Sequence, residues 1–161
     1  MRYLLALVLF LPALAWGADC VLLARMQNVQ VRDCGRPKLE SLGPAGEILS
    51  EEDFPETPTG IEHFRARQCR CELWQVVGSA GSGSRIARFY RAGENGALQA
   101  LNGASFRSDS GLIGRYETLD GLFIEVQEAD PSGRHLARKV YAFDGNGFVL
   151  LRRPPSDDRS R

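Results

Sequence analysis

Four groups of residues in this chain could do chemistry. They are four cysteines, two histidines, a set of carboxylates over residues 117–128, and two serine–glycine loops. The cysteines are Cys20, Cys34, Cys69 and Cys71. An even cysteine count in an exported chain reads as two disulfides, with three possible connectivities. On a strand, Cys69 and Cys71 would point to the same face with Arg70 between them, and a bridge between them would be strained. The expected pairings therefore tie the segment holding Cys20 and Cys34 to the strand holding Cys69 and Cys71. A metal site would want Cys-x-x-Cys pairs or added histidines. Here the pair is Cys-x-Cys, and the only histidines are His63 and His135. No metal or other cofactor is expected.

Nucleophilic catalysis needs a serine, threonine or cysteine beside an oriented base. His63 sits in an arginine-rich strand pattern and His135 just after a turn, so each reads as a surface or strand-end histidine. No Gly-x-Ser-x-Gly elbow is present. Paired carboxylates cleave glycosides, but Glu117, Asp120, Glu125 and Glu128 alternate along a hairpin and read first as its wet face. A carboxylate-dependent glycan hydrolase is kept as an alternative. The expected reading is non-catalytic.

The two loops carry the binding expectation. One runs over residues 79–85 (SAGSGSR), the other over 107–111 (RSDSG). Short side chains there lose little entropy on entering a partner's cleft. The expected partner-binding residues are Ser82, Gly83, Ser84, Arg85, Ser108, Asp109 and Ser110. The first loop lacks the Gly-Lys-Ser/Thr ending of a phosphate cradle and leads into a strand pattern, not a helix. Ser82, Gly83, Ser84 and Arg85 resemble the Ser-Gly-rich loop of periplasmic lysozyme inhibitors, small β-barrel proteins that plug the enzyme's cleft. The resemblance covers those residues alone. In size and expected address the chain is also similar, at the level of class, to periplasmic immunity proteins that neutralise cell-wall amidases.

The address is read from the first residues. Arg2 is followed by the apolar run LLALVLFL over residues 4–11, then Pro12, with Ala15 and Gly17 as small residues before a cut. This layout predicts a secretory signal peptide over residues 1–17, too short to anchor as a span. The mature chain would be periplasmic or secreted, and Cys20 just beyond the cut raises the lesser possibility of lipidation.

Composition bounds the rest. The chain has 161 residues, 20 Lys plus Arg, and 20 Asp plus Glu, so its formal net charge is zero. That balance argues against a nucleic-acid partner held by phosphate contacts and against a polybasic membrane surface. With 43% hydrophobic and 25% charged residues, the composition is that of a globular chain. No segment shows a clean helical period. Residues 21–24 and 29–32 predict a first hairpin. Residues 35–60, rich in proline, glycine and acids, predict a long irregular loop with a small hairpin through Pro44, Ala45 and Gly46. Residues 61–77 predict one long strand with a bulge or bend. RFYRAGENGAL at 88–98 and KVYAFDGNGFVL at 139–150 echo each other, each an aromatic strand followed by a Gly-Asn-rich turn. The expected fold is an all-β antiparallel meander closed as a small barrel or folded as a sandwich, pinned by disulfides near its N-terminus. It would be a single domain over residues 18–152 with a disordered tail at 153–161. The expected function is an inhibitor or immunity protein, and the alternative of a structural or assembly protein of the cell envelope is kept beside it.

Overall fold

The computed structural model describes residues 20–151, apart from residue 82 and residues 130–135. The expected signal peptide, the tail, Ser82 and His135 lie outside the described residues. Those described form strands and turns, and none of their segments is a helix able to cross a membrane.

Among the described residues, twelve strands form three antiparallel meanders of four. The first is β1 (Val21–Met26), β2 (Val29–Asp33), β3 (Pro37–Leu42) and β4 (Ile48–Asp53). The second is β5 (Thr57–Ala66), β6 (Cys71–Ser79), β7 (Arg85–Ala92) and β8 (Leu98–Ser108). The third is β9 (Leu112–Thr118), β10 (Gly121–Ala129), β11 (Leu136–Phe143) and β12 (Phe148–Leu150). All-β antiparallel architecture is as expected. A closed barrel is not: the chain builds three separate sheets, and two cores join them.

The middle sheet explains the layering. Strand side chains alternate between faces. On β6, Leu73 and Val77 face one way, and they share a core with Phe89 and Phe106 and with Leu122, Ile124, Phe143 and Phe148 of the third sheet. Trp74 and Val76 face the other way, and they share a core with Ile61 and Tyr90 and with Val29, Val31, Leu39 and Phe54 of the first sheet side. The second sheet is thus buried on both faces. This corrects the reading of residues 61–77. The apparent phase change at Leu73 and Trp74 is no bulge; both parities are apolar because both faces are covered. Nor is the segment one strand. Residues 67–70 form a turn between β5 and β6.

The segment 35–60 is also corrected. It holds β3, β4 and the start of β5, with only short connections between them. Glu51 and Glu52 lie on β4 and Glu56 in the bend before β5, and each has a cationic partner. Lys38 pairs with Glu51 at 2.5 Å, and Arg88 reaches Glu52 at 3.4 Å and Glu56 at 3.1 Å. The small hairpin through Pro44 is present as the β3–β4 turn.

That turn has a twin. Gly43 donates its amide to Glu47 at 2.8 Å and Gly46 donates to Gly43 at 3.0 Å. Between β7 and β8, Gly93 donates to Ala97 at 2.8 Å and Gly96 to Gly93 at 2.9 Å. Gly46 and Gly96 sit at φ 85 and 84, a conformation that glycine adopts without steric cost. The 88–98 and 139–150 echo falls on the corresponding hairpins of the second and third sheets.

The disulfides are Cys20–Cys34 and Cys69–Cys71, which overturns the expected cross-links between the two segments. Cys20 and Cys34 flank the Val21↔Asp33 pair, so they close the open end of the β1–β2 hairpin. Cys69 lies in the turn rather than on a strand, and Arg70 takes φ 51. The alternation argument therefore does not apply, because the turn brings the two side chains together. By loop entropy the 14-residue separation of the first bridge gives ~3 kcal/mol. The separation of 2 in the second gives about half of that, roughly 1.5 kcal/mol.

Candidate functional site

Both expected binding loops lie at the same end of the second sheet. One connects β6 to β7, the other β8 to β9, and β7 pairs with β8 so that Arg85 stands opposite Ser108. The first loop is self-bonded, Ala80 donating to Ser84 at 3.1 Å and Ser84 to Gly81 at 2.9 Å. The Ser84 hydroxyl then donates to Asp109 Oδ1 at 3.0 Å, and Arg107 Nε donates to the same oxygen at 3.1 Å. These two hydrogen bonds and the Arg107 charge hold the Asp109 carboxyl below its ordinary range, against a smaller opposing effect of desolvation.

The hydroxyls of Ser84, Ser108 and Ser110 are not free. Ser108 is fully buried, and its hydroxyl donates to the Gln127 carbonyl and accepts from the Leu112 amide at 3.1 Å. Ser110 donates to the same Gln127 carbonyl at 2.6 Å. Ser84 is buried as well. The serines thus lock the loops to each other and to β10. What the end presents outward is Gly81, Gly83, Arg85, Arg107 and Asp109. A groove of about 290 Å³ opens beside it, lined by Arg85, Gly111, Leu112, Ile113, Gly114, Glu125 and Gln127.

No family model, curated protein or solved structure matches the chain.

Three of the carboxylates of residues 117–128 have cationic partners. Glu117 accepts from the Arg67 amide at 3.0 Å and lies 3.5 Å from its guanidinium. Glu125 pairs with Arg138 at 2.8 Å and Glu128 with Lys139 at 2.8 Å. Glu125 and Glu128 also point to opposite faces of β10 by strand alternation. His63 stacks on Trp74 with centroids 4.4 Å apart and meets Glu72 at 2.9 Å. Among the described residues, no group of three His, Cys, Asp or Glu could hold a metal ion.

Two further features were missed by sequence reasoning. In β8, the pairs Arg88↔Ser105 and Tyr90↔Ala100 leave Phe89 alone facing residues 101–104. The strand arches there, and Asn102 bridges to Gly147 of the third sheet. A cavity of about 280 Å³ lies at the arch, lined in part by Glu52, Arg88, Tyr90 and Gly103. Its polar groups engage one another: Tyr90 donates to Glu52 at 3.3 Å, and Arg88 spans Glu52 and Glu56 while its guanidinium lies over the Phe54 ring. This network joins the first and second sheets. Burial and the Glu52 charge push the Tyr90 phenol well above its ordinary range. A glycine in a strand pattern is the usual signal for such an arch, and Gly103 was that signal.

The second feature is the β5–β6 turn. Arg65, Arg67 and Arg70, at and beside this turn, line an open hollow. The turn is docked on the third sheet, since Gln68 donates to the Asp120 carbonyl at 3.2 Å and accepts from the Leu122 amide at 3.4 Å.

Proposed function

We propose that this chain is a non-catalytic binding protein of the bacterial periplasm. It neutralises a peptidoglycan-degrading enzyme, a lysozyme or an amidase, by presenting the joined loop end to the enzyme's cleft. The observation that carries the reading is the Ser84–Asp109 bond, which makes one rigid projection of two loops distant in sequence. A pre-ordered projection loses little entropy on binding. Arg85 and Arg107 give it cationic groups, and a cleft that cleaves glycans carries carboxylates for them to meet. The contact is then made by backbone and by charged side chains. The seryl hydroxyls act by shaping the loops. Two disulfides suit an oxidising compartment.

The test is direct inhibition. The purified oxidised chain is added to lysozymes and peptidoglycan amidases, and lytic activity is followed. Inhibition by the native chain that is lost in an Arg85→Glu, Arg107→Glu double variant supports the proposal. A native chain that inhibits none of them and captures only resident envelope proteins overturns it.

A second reading, assembly within the envelope, is favoured by one observation. β1 is an edge strand, and Val21, Leu22, Leu23 and Met26 on it are exposed. An apolar edge offers both backbone groups and side chains to a partner strand. Under this reading Leu22→Lys abolishes capture of the envelope partner, while the loop double variant leaves it intact.

A further inference from the structure

We propose that Cys69–Cys71 is a thiol–disulfide exchange site that oxidises dithiol protein substrates, an activity independent of the inhibitor reading. Four observations converge on it. The bridge spans a separation of only 2, and the Ala66↔Cys71 pairing already sets the hairpin register beside it. It therefore constrains little that the strand ladder leaves free. The turn is held from outside by Gln68, which bonds the Asp120 carbonyl and the Leu122 amide, so opening the bridge does not release it. Cys69 and Cys71 are both half-buried at the edge of the core rather than enclosed in it.

The surroundings favour a leaving thiolate. Arg65 is met by Glu72 at 3.7 Å and Arg67 by Glu117 at 3.5 Å, but exposed Arg70 has no carboxylate partner among the described residues. A neighbouring cation lowers a thiol's pKa, and a low-pKa thiol leaves faster. The Cys71 amide donates to Cys69 Sγ at 3.3 Å, which places a dipole on the sulfur where charge develops. Cys69 is therefore the leaving sulfur and Cys71 the one attacked.

In the exchange, a substrate thiolate attacks Cys71 Sγ. A new S–S bond forms, the Cys69–Cys71 bond breaks, and Cys69 leaves as thiolate. The substrate's second thiolate then attacks its own sulfur in the mixed disulfide and expels Cys71. The substrate loses two electrons and two protons and becomes a disulfide. Cys69 and Cys71 gain both electrons and, once protonated, both protons.

The full oxidised chain is incubated with reduced glutathione, and free cysteines are alkylated at intervals and mapped by mass spectrometry. The expected result is that Cys69–Cys71, although half-buried where both cysteines of Cys20–Cys34 are exposed, opens at least about tenfold faster, because Arg70 and the Cys71 amide assist its leaving sulfur. Glutathione is then found on Cys71 and the alkyl label on Cys69. A reduced dithiol peptide is oxidised one for one as the bridge opens. Arg70→Glu slows opening and leaves the circular dichroism of the fold unchanged. Equal opening of the two bridges, adducts shared evenly between Cys69 and Cys71, or an Arg70→Glu variant as fast as the native chain would each overturn the proposal.

Discussion

The Ser84 hydroxyl donates to Asp109 at 3.0 Å, across 25 residues of chain, and by that bond two loops become one structure. Arg107 donates to the same carboxylate oxygen. The bonds need an ionised acceptor, so they are present above the ordinary carboxylate pKa of about 4 and fade as pH falls through the lowered Asp109 value. An NMR titration of the Asp109 carboxyl carbon should show a midpoint below the ordinary one. Arg107→Gln should raise that midpoint most and Ser84→Ala less, because the Arg107 bond is the larger cause. Equal midpoints in all three proteins would mean that the loops are not pinned this way.

Glu40 is a charge inside the first sheet. It is 1% exposed and accepts from Gln30 at 2.8 Å and from Arg32 at 2.7 and 2.8 Å. Burial pushes its carboxyl up, but the bonds from Arg32 and Gln30 together with the charges of Arg32 and Lys38 outweigh it, and the net shift is downward. The stability Glu40 contributes is therefore held above the ordinary carboxylate range and lost in acid as pH falls through its lowered value. Glu40→Ala leaves the buried Gln30 amide without its acceptor, which costs about 1–3 kcal/mol. Urea unfolding at pH 7 and pH 3 should show a large difference between variant and native chain at the first and a small one at the second.

Tyr90 gives the opposite limb. Its phenol is held neutral by burial and by Glu52, so its folded pKa lies above its unfolded one. The neutral form is favoured in both states below pH ~10, and stability falls as pH rises beyond that. Lys38 and Lys139 are held above their ordinary range by Glu51 and Glu128 and push in the same direction. Tyr90→Phe should thus lose about 0.5–1.5 kcal/mol at pH 7 with the Glu52 bond, and lose less than the native chain does between pH 9 and pH 11. Urea midpoints at those three pH values decide it, and parallel alkaline slopes would contradict it.

Gly103 holds the arch of β8. It sits at φ 61, and a Cβ there would lie 2.7 Å from the Phe148 carbonyl oxygen. Gly103→Ala forces a backbone against a backbone in a left-handed conformation, at about 1–3 kcal/mol. The expected outcome is a lower melting temperature, with amide exchange raised first at Gly147 and Phe148, where β12 meets the arch. An unshifted melting temperature would mean that the arch is not fitted to β12.

Much of this protein was legible in its own chain. The first hairpin, the β3–β4 turn, the Gly96 turn and the all-β class follow from alternation and from residues that accept unusual φ, and both are properties of a few neighbouring residues. The two loops were singled out for the same local reason, their serine–glycine content. What pairs with what was not local. Cys69 and Cys71 were read as strand neighbours because nothing in the sequence shows that Arg70 turns the chain. Leu73 and Trp74 looked like a fault in one strand because periodicity reports apolarity and not which sheet covers which face. The serines looked available because a hydroxyl's partner, such as the Gln127 carbonyl, comes from a distant strand. The sequence by itself determined the strands and turns, through short-range sterics. Only the tertiary structure decided the three layers, the disulfide partners and which loop groups face outward, because each depends on packing between segments far apart in the chain.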